Sequence, residues 1–393
     1  MITVKEALEL VQKNIFPLEN KETKKVSNAN SYVLFEDVYS HINMPPFNQS
    51  AMDGYAVSVQ DGEIYNVISE VKAGDGHHPV LKTGEAVRIF TGAAVPDTAN
   101  AVIMQEQVQV VGNKIRIDKN ISVRENIRPL GEQINKGEIA LKKGAKLTSA
   151  AIGYLTSLGI TDINVYKKPS IAIVVTGDEL VEAGQPLTYG NIYESNSGML
   201  LSALKSLGFA NIILHKIKDD YVNTLSELEK VINKNDMVII TGGISVGDYD
   251  FVGKALNELN VIELFYKVKQ KPGKPLFFGK KEDTIVFALP GNPAAALSCF
   301  YIYVNTALQK ISGDLNYSLT KITAKSNSEY IKKGDRAQFL KAILKNDRIT
   351  ILEGQSSAML HTFSLANALV YVPEILDLIK TDDIVEVILL PIN

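Results

Sequence analysis

Residues 236–250 read D-M-V-I-I-T-G-G-I-S-V-G-D-Y-D and combine a short apolar run with a glycine-rich turn. The apolar run, 237–240, is rich in β-branched side chains and stops at a glycine pair, which predicts a buried strand. A helical pattern follows from Phe251 to Leu259. Because a glycine-rich turn between a strand and a helix exposes backbone N–H groups, the segment predicts a strand–loop–helix unit with a pocket for an anion.

The loop itself contains four residues suited to a close approach of backbone or hydroxyl to a ligand: Gly242, Gly243, Ser245 and Gly247. Their spacing matches neither G-x-G-x-x-G nor G-x-x-x-x-G-K-[ST]. Taken alone, the loop is explained equally well as a phosphate cradle or as a tight structural turn.

The alternation of apolar runs and helical patterns extends over residues 169–313. Short strands separated by longer helices predict a mostly parallel sheet covered on both faces, which is a three-layer α/β domain. Ligands of such sheets bind at the carboxyl ends of the strands. Four predicted strand ends carry Gly, Pro or Asp: T-G-D-E-L at 176–180, Asp219-Asp220, the loop of 241–248, and P-G-N-P at 290–293. We therefore expect a binding site at this edge of the sheet.

The remaining segments predict smaller units around this central α/β domain. Residues 44–139 show short alternating runs typical of a β-rich second domain, and residues 314–393 predict a C-terminal β domain. We expect residues 1–43, with a first amphipathic helix, to pack on the helix and strand of 140–168 as one discontinuous N-terminal domain. The predicted fold class is thus multidomain α/β plus β.

Composition excludes several classes of protein. The chain has 393 residues, 46% of them hydrophobic, and a formal net charge of −3, so it offers no electrostatic reason to expect nucleic acid or an anionic membrane as partner. The single cysteine, Cys299, excludes a disulfide framework or a thiolate metal site. No apolar run reaches the roughly 18 residues of a membrane span, and the N-terminus lacks the apolar core of a signal peptide. These features predict a cytoplasmic protein.

Carboxylates are in excess near the predicted phosphate loop: Asp178, Glu179, Asp220, Asp248 and Asp250. Carboxylates repel phosphate unless a hard cation such as Mg²⁺ lies between them, bound by one or two carboxylates and by phosphate oxygens. The sequence therefore suggests a site for a metal-bridged phosphate ester or anhydride.

Two further segments each allow a functional and a structural interpretation. Four lysines of 267–274 surround K-P-G-K-P and would attract oxyanions, or they belong to a solvated loop. Asn292 and Pro293 form a good helix start, so this helix N-terminus faces an anion or is simply well capped.

Six motifs, in the same order, closely resemble those of the MoeA family, the molybdopterin molybdenumtransferases related to the gephyrin E domain. They are M-P-P-F-N-Q-S-A-M-D-G-Y-A-V (44–57), R-I-F-T-G-A-A-V-P (88–96), V-V-T-G-D-E-L (174–180), T-G-G-I-S-V-G-D-Y-D (241–250), K-P-G-K-P (271–275) and L-P-G-N-P-A-A (289–295). The resemblance covers essentially the whole chain.

The resemblance implies a transferase that inserts molybdate into adenylylated molybdopterin, with Mg²⁺ assistance and release of AMP. It also implies an elongated four-domain subunit, a homodimer with an active site shared between two subunits, and other molybdenum cofactor biosynthesis proteins as partners. Molybdate is then the substrate oxyanion.

Carried over position by position, the resemblance implies specific site residues. Its catalytic residues correspond to Asp53, Thr91, Glu179, Asp220 and Asp248, of which Glu179, Asp220 and Asp248 are the implied metal ligands. The implied substrate-binding residues are Ser195, Asn196, Gly242, Gly243, Ser245, Gly247, Lys271, Lys274, Pro290, Gly291, Asn292 and Pro293, together with Arg336 and the Ser356-Ser357 pair as an oxyanion patch.

Three departures from the family pattern stand out. Asn48 and Gln49 replace the usual D-N after P-P-F and remove one negative charge near Asp53. Gln133 stands where an acid is common after G-E, and Lys341 stands where Arg is usual, which keeps the charge but loses the bidentate fork.

Two rival functions are consistent with parts of the sequence. The first is a molybdopterin adenylyltransferase, but such relatives resemble only residues 170–312. The second is a non-catalytic scaffold like gephyrin at synapses, which would not need the acids of the site.

Overall fold

The computed structural model describes residues 1–59, 63–118, 120–218, 220–244 and 251–391. The α-helices of these residues are α1 (Val4–Asn14), α2 (Ser149–Ser157), α3 (Asn196–Ser206), α4 (Tyr221–Ile232), α5 (Phe251–Glu258), α6 (Pro293–Cys299), α7 (Asn305–Ile311) and α8 (Leu360–Leu365). A π-helical segment, Phe300–Val304, connects α6 to α7.

The strands of the first part of the chain are β1 (Lys21–Lys25), β2 (Val38–Tyr39), β3 (Gln49–Ser50), β4 (Gly54–Val57), β5 (Ile64–Val71), β6 (Glu85–Ile89), β7 (Ala101–Met104), β8 (Val108–Val111), β9 (Lys114–Ile117), β10 (Ile127–Arg128), β11 (Ile139–Leu141) and β12 (Asp162–Tyr166). The next are β13 (Ile171–Thr176), β14 (Leu180–Val181), β15 (Ile192–Tyr193), β16 (Ile212–Ile217), β17 (Met237–Thr241), β18 (Ile262–Tyr266), β19 (Gln270–Lys271), β20 (Phe277–Lys281) and β21 (Thr284–Leu289). The last are β22 (Lys321–Ser326), β23 (Tyr330–Ile331), β24 (Ala337–Lys345), β25 (Arg348–Ile351), β26 (Ala368–Val372), β27 (Leu378–Ile379) and β28 (Ile384–Leu389).

The central sheet has the strand order β16-β13-β17-β21-β20-β18. Its first four strands are parallel, β20 runs antiparallel to β21, and the edge strand β18 runs antiparallel to β20. Every residue of β13 and β17 is buried, as expected for strands covered on both faces. Helices α3 and α6 pack on one face, and α4 and α5 pack on the other. The α/β plus β class predicted from the sequence is confirmed.

Helix α1 packs on this central sheet rather than on the helix and strand of 140–168, where we expected it. Thr3 and Glu6 form a reciprocal capping box at its start, which contributes about 1 kcal/mol to such a helix. Its buried residues Val4, Ala7 and Val11 belong to the same apolar core as the central strands. The difference has a simple reason: an amphipathic pattern specifies an apolar face but not the surface that covers it.

The rest of the N-terminal segment does pair with the chain about 100 to 145 residues later. Strand β1 pairs antiparallel with β12, and β2 pairs with β11. A separate apolar core, which includes Leu34, Leu147 and Leu155, lies beneath these strands.

Residues 44–139 contain a six-stranded sheet of order β7-β4-β6-β5-β9-β8 with an apolar cluster on each face. Strand β4 begins at Gly54, directly after Asp53. A Cβ at Gly54 would overlap the backbone carbonyl of Ile103 in β7, so only glycine allows this close approach. The glycine thereby fixes the position of the aspartate that precedes it.

In the C-terminal segment, strands β24, β25, β22, β28 and β26 pair in sequence, and β26 pairs back to β24 to close a ring. Strand β19, from the α/β segment, adds to this ring parallel to β24. The central and C-terminal segments also share one apolar core, which includes Phe339 and Phe363. None of the helices among the described residues has the length and apolar character that crossing a bilayer requires.

Candidate active site

The carboxyl ends of four neighbouring strands meet at one edge of the central sheet. Thr176 pairs with Ile217, and Thr241 pairs with Val175 on one side and Leu289 on the other, so β16, β13, β17 and β21 end level with one another. The structure therefore brings together the segments that follow these strands, as the sequence predicted from their parallel order.

The glycine pair after β17 runs tightly across the end of β13. Gly242 has a φ of +92°, and a Cβ there would overlap the carbonyl oxygen of Thr176. Gly243 has a φ of +61°, and its Cβ would lie 2.9 Å from the Thr176 methyl carbon. Both positions thus require glycine for conformation and for space. Ser245, Gly247, Asp248 and Asp250, and also Asp219, lie outside the described residues.

Asn196 ties two of these strand ends together. Its side-chain Nδ2 donates to Oγ1 of Thr241, at 2.7 Å, and to the carbonyl oxygen of Gly291, at 2.8 Å. Its Oδ1 is buried and has no hydrogen-bond partner within the described part of the chain. Ser195 precedes it as the N-cap residue of α3, without a capping bond from its side chain. Asn196 is therefore a bridge between the glycine loop and the P-G-N-P loop, with one acceptor oxygen unsatisfied.

Two of the predicted acids flank the same edge. Asp220 caps α4, and its Oδ1 accepts from the backbone amide of Asn223 at 2.8 Å. The Glu179 carboxylate lies close to Gly177, which has a φ of +143° and where a Cβ would come within 2.7 Å of Glu179 Oε2. Because β13 and β16 are neighbours, these acids follow adjacent strands.

The described acids suit a cation that takes few protein ligands. Among residues 1–59, 63–118, 120–218, 220–244 and 251–391, no group of three or more His, Cys, Asp or Glu side chains is arranged to hold a metal. Mg²⁺ commonly uses one or two carboxylates and completes its shell with water and phosphate oxygens. A carboxylate that caps a helix through one oxygen keeps acceptor capacity for such an ion. The carboxylate oxygens of Glu179 and Asp220 are therefore ligands of the type that Mg²⁺ takes, one or two at a time.

Helix α6 begins at Pro293, as predicted, but the Asn292 side chain does not cap it. Instead, Asn292 Nδ2 donates to Oγ of Ser357 at 3.0 Å. The backbone amide of Ala295 donates to the carbonyl oxygen of Ser357 at 3.2 Å. The π-helical segment separates α6 from α7. The P-G-N-P turn thus contacts the loop of the C-terminal segment that carries Ser357. The spacing of residues in the sequence did not predict this contact.

The basic loop, residues 267–274, also contacts the C-terminal segment. We call this contact region between the central and C-terminal segments the seam. Lys271 lies in β19, which pairs with β24 of the C-terminal ring, and Lys274 follows in the K-P-G-K-P turn. The Arg336 Nη1 donates to the carbonyl oxygen of Gln270 at 3.2 Å. Lys269 forms an ion pair with Asp335 at 3.1 Å. The structure therefore brings Arg336 next to the lysine pair, although they are more than 60 residues apart.

Lys341, which replaces the usual arginine, is buried and serves the serine loop. Its ammonium donates to three backbone carbonyl oxygens, those of Gly354 at 2.9 Å, Ser356 at 3.2 Å and Met359 at 3.0 Å. Desolvation by burial lowers its pKa. An ammonium has three donors, so these bonds use its whole capacity. Lys341 therefore holds the loop that carries Ser357 and does not present a charge to a ligand.

Asp53 and Thr91 form a pair in the β-rich segment. Asp53 Oδ1 accepts from the backbone amide of Thr91 at 2.8 Å and from its hydroxyl at 2.7 Å. These two hydrogen bonds, the backbone bond first, lower the pKa of Asp53, and the charge of Arg88 adds to them. The aspartate is therefore held ionised and oriented, and both bonds stay within the β-rich segment.

The other departures from the family pattern lie in the same segment. Asn48 Oδ1 accepts from the backbone amide of Leu130 at 3.0 Å. Gln49 lies in β3 and pairs with Arg128 of β10. The backbone amide of Gln133 donates to the carbonyl oxygen of Met44 at 2.9 Å. The neutral side-chain amide of Asn48 thus accepts a hydrogen bond that connects two loops of this segment.

Three family models together match most of the chain. The MoeA N-terminal region (domains I and II) matches residues 2–159, a probable molybdopterin-binding domain matches residues 172–310, and the MoeA C-terminal region (domain IV) matches residues 323–390.

Similar proteins include a molybdopterin molybdenumtransferase of Haemophilus influenzae, 36% identical over 80% of this chain and 78% of the relative. Another, of Staphylococcus epidermidis, is 30% identical over 100% of this chain and 96% of the relative. Among solved structures, the molybdopterin biosynthesis moeA protein of Pyrococcus horikoshii is 32% identical and superposes with a TM-score of 0.86 over 99% of this chain and 100% of its own.

Proposed function

The chain belongs to the MoeA family, and on that premise we propose that it inserts molybdate into adenylylated molybdopterin with release of AMP. It is a molybdopterin molybdenumtransferase, and its activity belongs to molybdenum cofactor biosynthesis. Adenylylated molybdopterin and molybdate are its proposed substrates.

The seam between the central and C-terminal segments is the observation that carries this proposal. Lys271, Lys274 and Arg336 lie where β19 joins the C-terminal ring, and Ser357 contacts Asn292 at the P-G-N-P turn. An adenylyltransferase would need the strand edge alone, whereas a binding site for an additional oxyanion explains why a second segment is attached there. The seam therefore favours metal insertion over adenylylation.

The glycine loop supplies the second part of the site. Gly242 and Gly243 hold the backbone close to the end of β13, where N–H groups suit the phosphate of the pterin. Asn196 keeps this loop at a constant distance from Gly291. We assign the remaining loop residues Ser245 and Gly247 to the same phosphate.

We propose that Glu179, Asp220 and Asp248 would hold Mg²⁺, which would supply positive charge for the phosphates of the adenylate. When bound, this ion neutralises the charge of the anhydride and of the AMP that leaves. The protein residues act through their position and charge. Lys271, Lys274 and Arg336 attract molybdate, and the acids orient the phosphates of the substrate at the carboxyl ends of the strands. No covalent protein intermediate is required.

The hydrogen bonds of Asp53 and Thr91 stay within the β-rich segment and do not connect this pair to the strand edge of its own chain. We propose that they reach the strand edge of a second subunit, in a two-fold symmetric homodimer with two shared clefts. We also propose four domains with the boundaries 1–43 with 140–168, 44–139, 169–313 and 314–393. Apolar clusters confined to the N-terminal, β-rich and C-terminal segments support this division, while the central core also includes α1 and part of the C-terminal segment.

The proposal is tested with purified protein, adenylylated molybdopterin, Mg²⁺ and molybdate. We expect AMP release that depends on molybdate. The variant Lys271→Ala with Lys274→Ala should bind molybdate more weakly, and the difference from wild type should shrink as salt rises, because salt screens exposed charges. Turnover of ATP with free molybdopterin would instead identify an adenylyltransferase, and inactivity with both substrates would favour a scaffold.

A further inference from the structure

Gln270 is fully buried directly beneath the basic loop, at 0% exposure. It is the first residue of β19 and precedes Lys271. A buried amide must find partners for its donors and acceptors, or each unsatisfied group costs free energy. The partners of Gln270 therefore show what its side chain supports.

The side-chain amide supports the turn that carries both lysines. Gln270 Nε2 donates to the carbonyl oxygen of Gly273 at 3.1 Å and to Sγ of Cys299 at 3.5 Å. A carbonyl oxygen only accepts, so this contact sets the orientation of the amide group. Gly273 lies between Lys271 and Lys274, at a φ of +83°. One amide thus holds the middle of the K-P-G-K-P turn.

The other end of the amide is held by the π-helical segment. The Tyr303 hydroxyl donates to Gln270 Oε1. Burial raises the pKa of Cys299 to about 12 and raises the pKa of Tyr303 well above its ordinary value, so both partners stay neutral around pH 7. Single π-helical turns inside α-helices occur frequently at functional sites. Here the π-helical segment carries the hydroxyl that completes the partners of Gln270.

The backbone of Gln270 supports the arginine. Its carbonyl oxygen accepts from Arg336 Nη1 at 3.2 Å, and Gln270 pairs with Ala337 in the β19–β24 ladder. One buried residue therefore contacts the lysine turn, the arginine and the helix beneath them.

We infer that Gln270 is a positioning residue that sets the distance between the lysine pair and Arg336 and so determines how tightly the protein binds molybdate. The inference rests on the proposed function, in which these cations collect the oxyanion. Its physical basis is preorganisation: three flexible cationic side chains bind one small anion well only when their backbones are fixed beforehand.

The test measures binding of the molybdate ion alone by isothermal titration calorimetry, with melting temperatures recorded in parallel. Gln270→Met keeps the length of the side chain and removes its polar atoms, so we expect molybdate affinity to fall about tenfold. Tyr303→Phe removes only the hydroxyl and should weaken binding by a smaller factor, about threefold. In turnover, KM for molybdate should rise in both variants while kcat at saturating molybdate stays near wild type.

Asn235→Leu is the matched control. Asn235 is also a buried amide of the α/β segment and bonds to the carbonyl oxygen of Val231, but it lies at the amino end of β17, opposite to the site. It should lower the melting temperature and leave molybdate affinity unchanged. If Gln270→Met and Tyr303→Phe lose stability but bind molybdate like wild type, the positioning role is wrong.

The proposed function fails in a distinguishable way. If wild type itself does not bind molybdate, or if Lys271→Ala with Lys274→Ala binds it normally, the assignment of the basic loop is wrong. Should Gln270→Met not fold, Tyr303→Phe, which keeps the Gln270–Gly273 bond, still decides the question by its KM for molybdate.

Discussion

The seam around β19 and the Asp53–Thr91 pair represent two ways of building part of an active site. At the seam, two segments of one chain share strand pairing, side-chain hydrogen bonds and an apolar core. The Asp53–Thr91 pair is equally well ordered by its own hydrogen bonds, but all of them lie within the β-rich segment. The seam is thus assembled by folding of one chain, whereas in our proposal the Asp53–Thr91 pair completes its site only at the surface of a second subunit.

The difference separates two kinds of experiment. Residues of the seam act within one subunit, so a single variant should report on its own cleft. If the Asp53–Thr91 pair acts at the surface of a second subunit, as we propose, its partner is found by combining variants of two subunits. The predictions below test this contrast.

The largest effect is expected from mixing two inactive subunits. Asp53→Asn and Asp220→Asn should each abolish nearly all AMP release, and asparagine at 220 keeps the cap of α4 because it is also a good N-cap residue. In a shared site, each mixed dimer has one cleft with both acids intact. Random co-refolding should then return roughly a quarter of wild-type activity.

The measurement is AMP release by the mixture, with tagged subunits to show that mixed dimers form. A mixture that contains mixed dimers and stays inactive would place both acids in one subunit. The seam and the pair would then be joined by closure of a single chain.

An intermediate effect is expected at the seam from Lys341→Met. The change leaves the carbonyl oxygens of Gly354, Ser356 and Met359 without their shared donor, so we expect a loss of about 1–3 kcal/mol in the free energy of unfolding. The Ser357 loop should also loosen from Asn292 and raise KM for molybdate. Urea unfolding and steady-state kinetics check both expectations.

Lys341→Arg is the conservative control, because it keeps the charge and several donors. It should retain most of the stability and most of the affinity. If Lys341→Met binds molybdate like wild type, then the Ser357 loop is not part of the oxyanion site, and the seam is smaller than we describe.

The smallest effect concerns Lys168, which connects the N-terminal unit to the central one. Its ammonium lies 4.2 Å from the centre of the Tyr32 ring and donates to the carbonyl oxygen of Gly208 at 2.6 Å. Burial, with additional contributions from the charges of Lys146 and Lys24, lowers the pKa of Lys168 to about 8 against an opposing effect of Glu22.

The sign of the pH dependence follows from that shift. Between pH 8 and the ordinary lysine pKa of about 10.4, the unfolded chain binds the proton that the folded chain has lost, so stability should rise with pH in this window. Below pH 8 both states are protonated and this contribution is constant. Urea unfolding at pH 7.5 and pH 10 should show a smaller gain for Lys168→Met than for wild type. An equal gain in both proteins would contradict the assignment.

Local pattern was sufficient for much of the fold. The apolar runs at 171–176 and 237–241 and the glycines that follow them predicted buried parallel strands that end at one edge of a sheet, and the structure confirms this arrangement. Ligand binding at that edge stays a prediction. Such predictions succeed because strand burial and turn conformation depend on side chains close together in sequence. The resemblance of six motifs then identified Asp53 with Thr91, and the structure places them in contact.

Residue spacing could not reveal the partners of buried or amphipathic groups. Helix α1 has an apolar face in any setting, and only the folded chain shows that this face covers the central sheet. No sequence pattern marks Gln270, and Lys341 stands out only because arginine is usual there, yet both side chains are buried and hydrogen-bonded.

Sequence alone determined the fold class, the meeting of the strand ends at one edge of the sheet, and the family, because these depend on local apolar pattern and on contiguous motifs. Tertiary structure alone decided which distant groups meet: Arg336 with Gln270, Ser357 with Asn292, and Lys341 with its three carbonyl oxygens. The reason is physical. A hydrogen bond between distant residues depends on how whole units pack, and that packing is a property of the complete apolar core, which no short stretch of sequence contains.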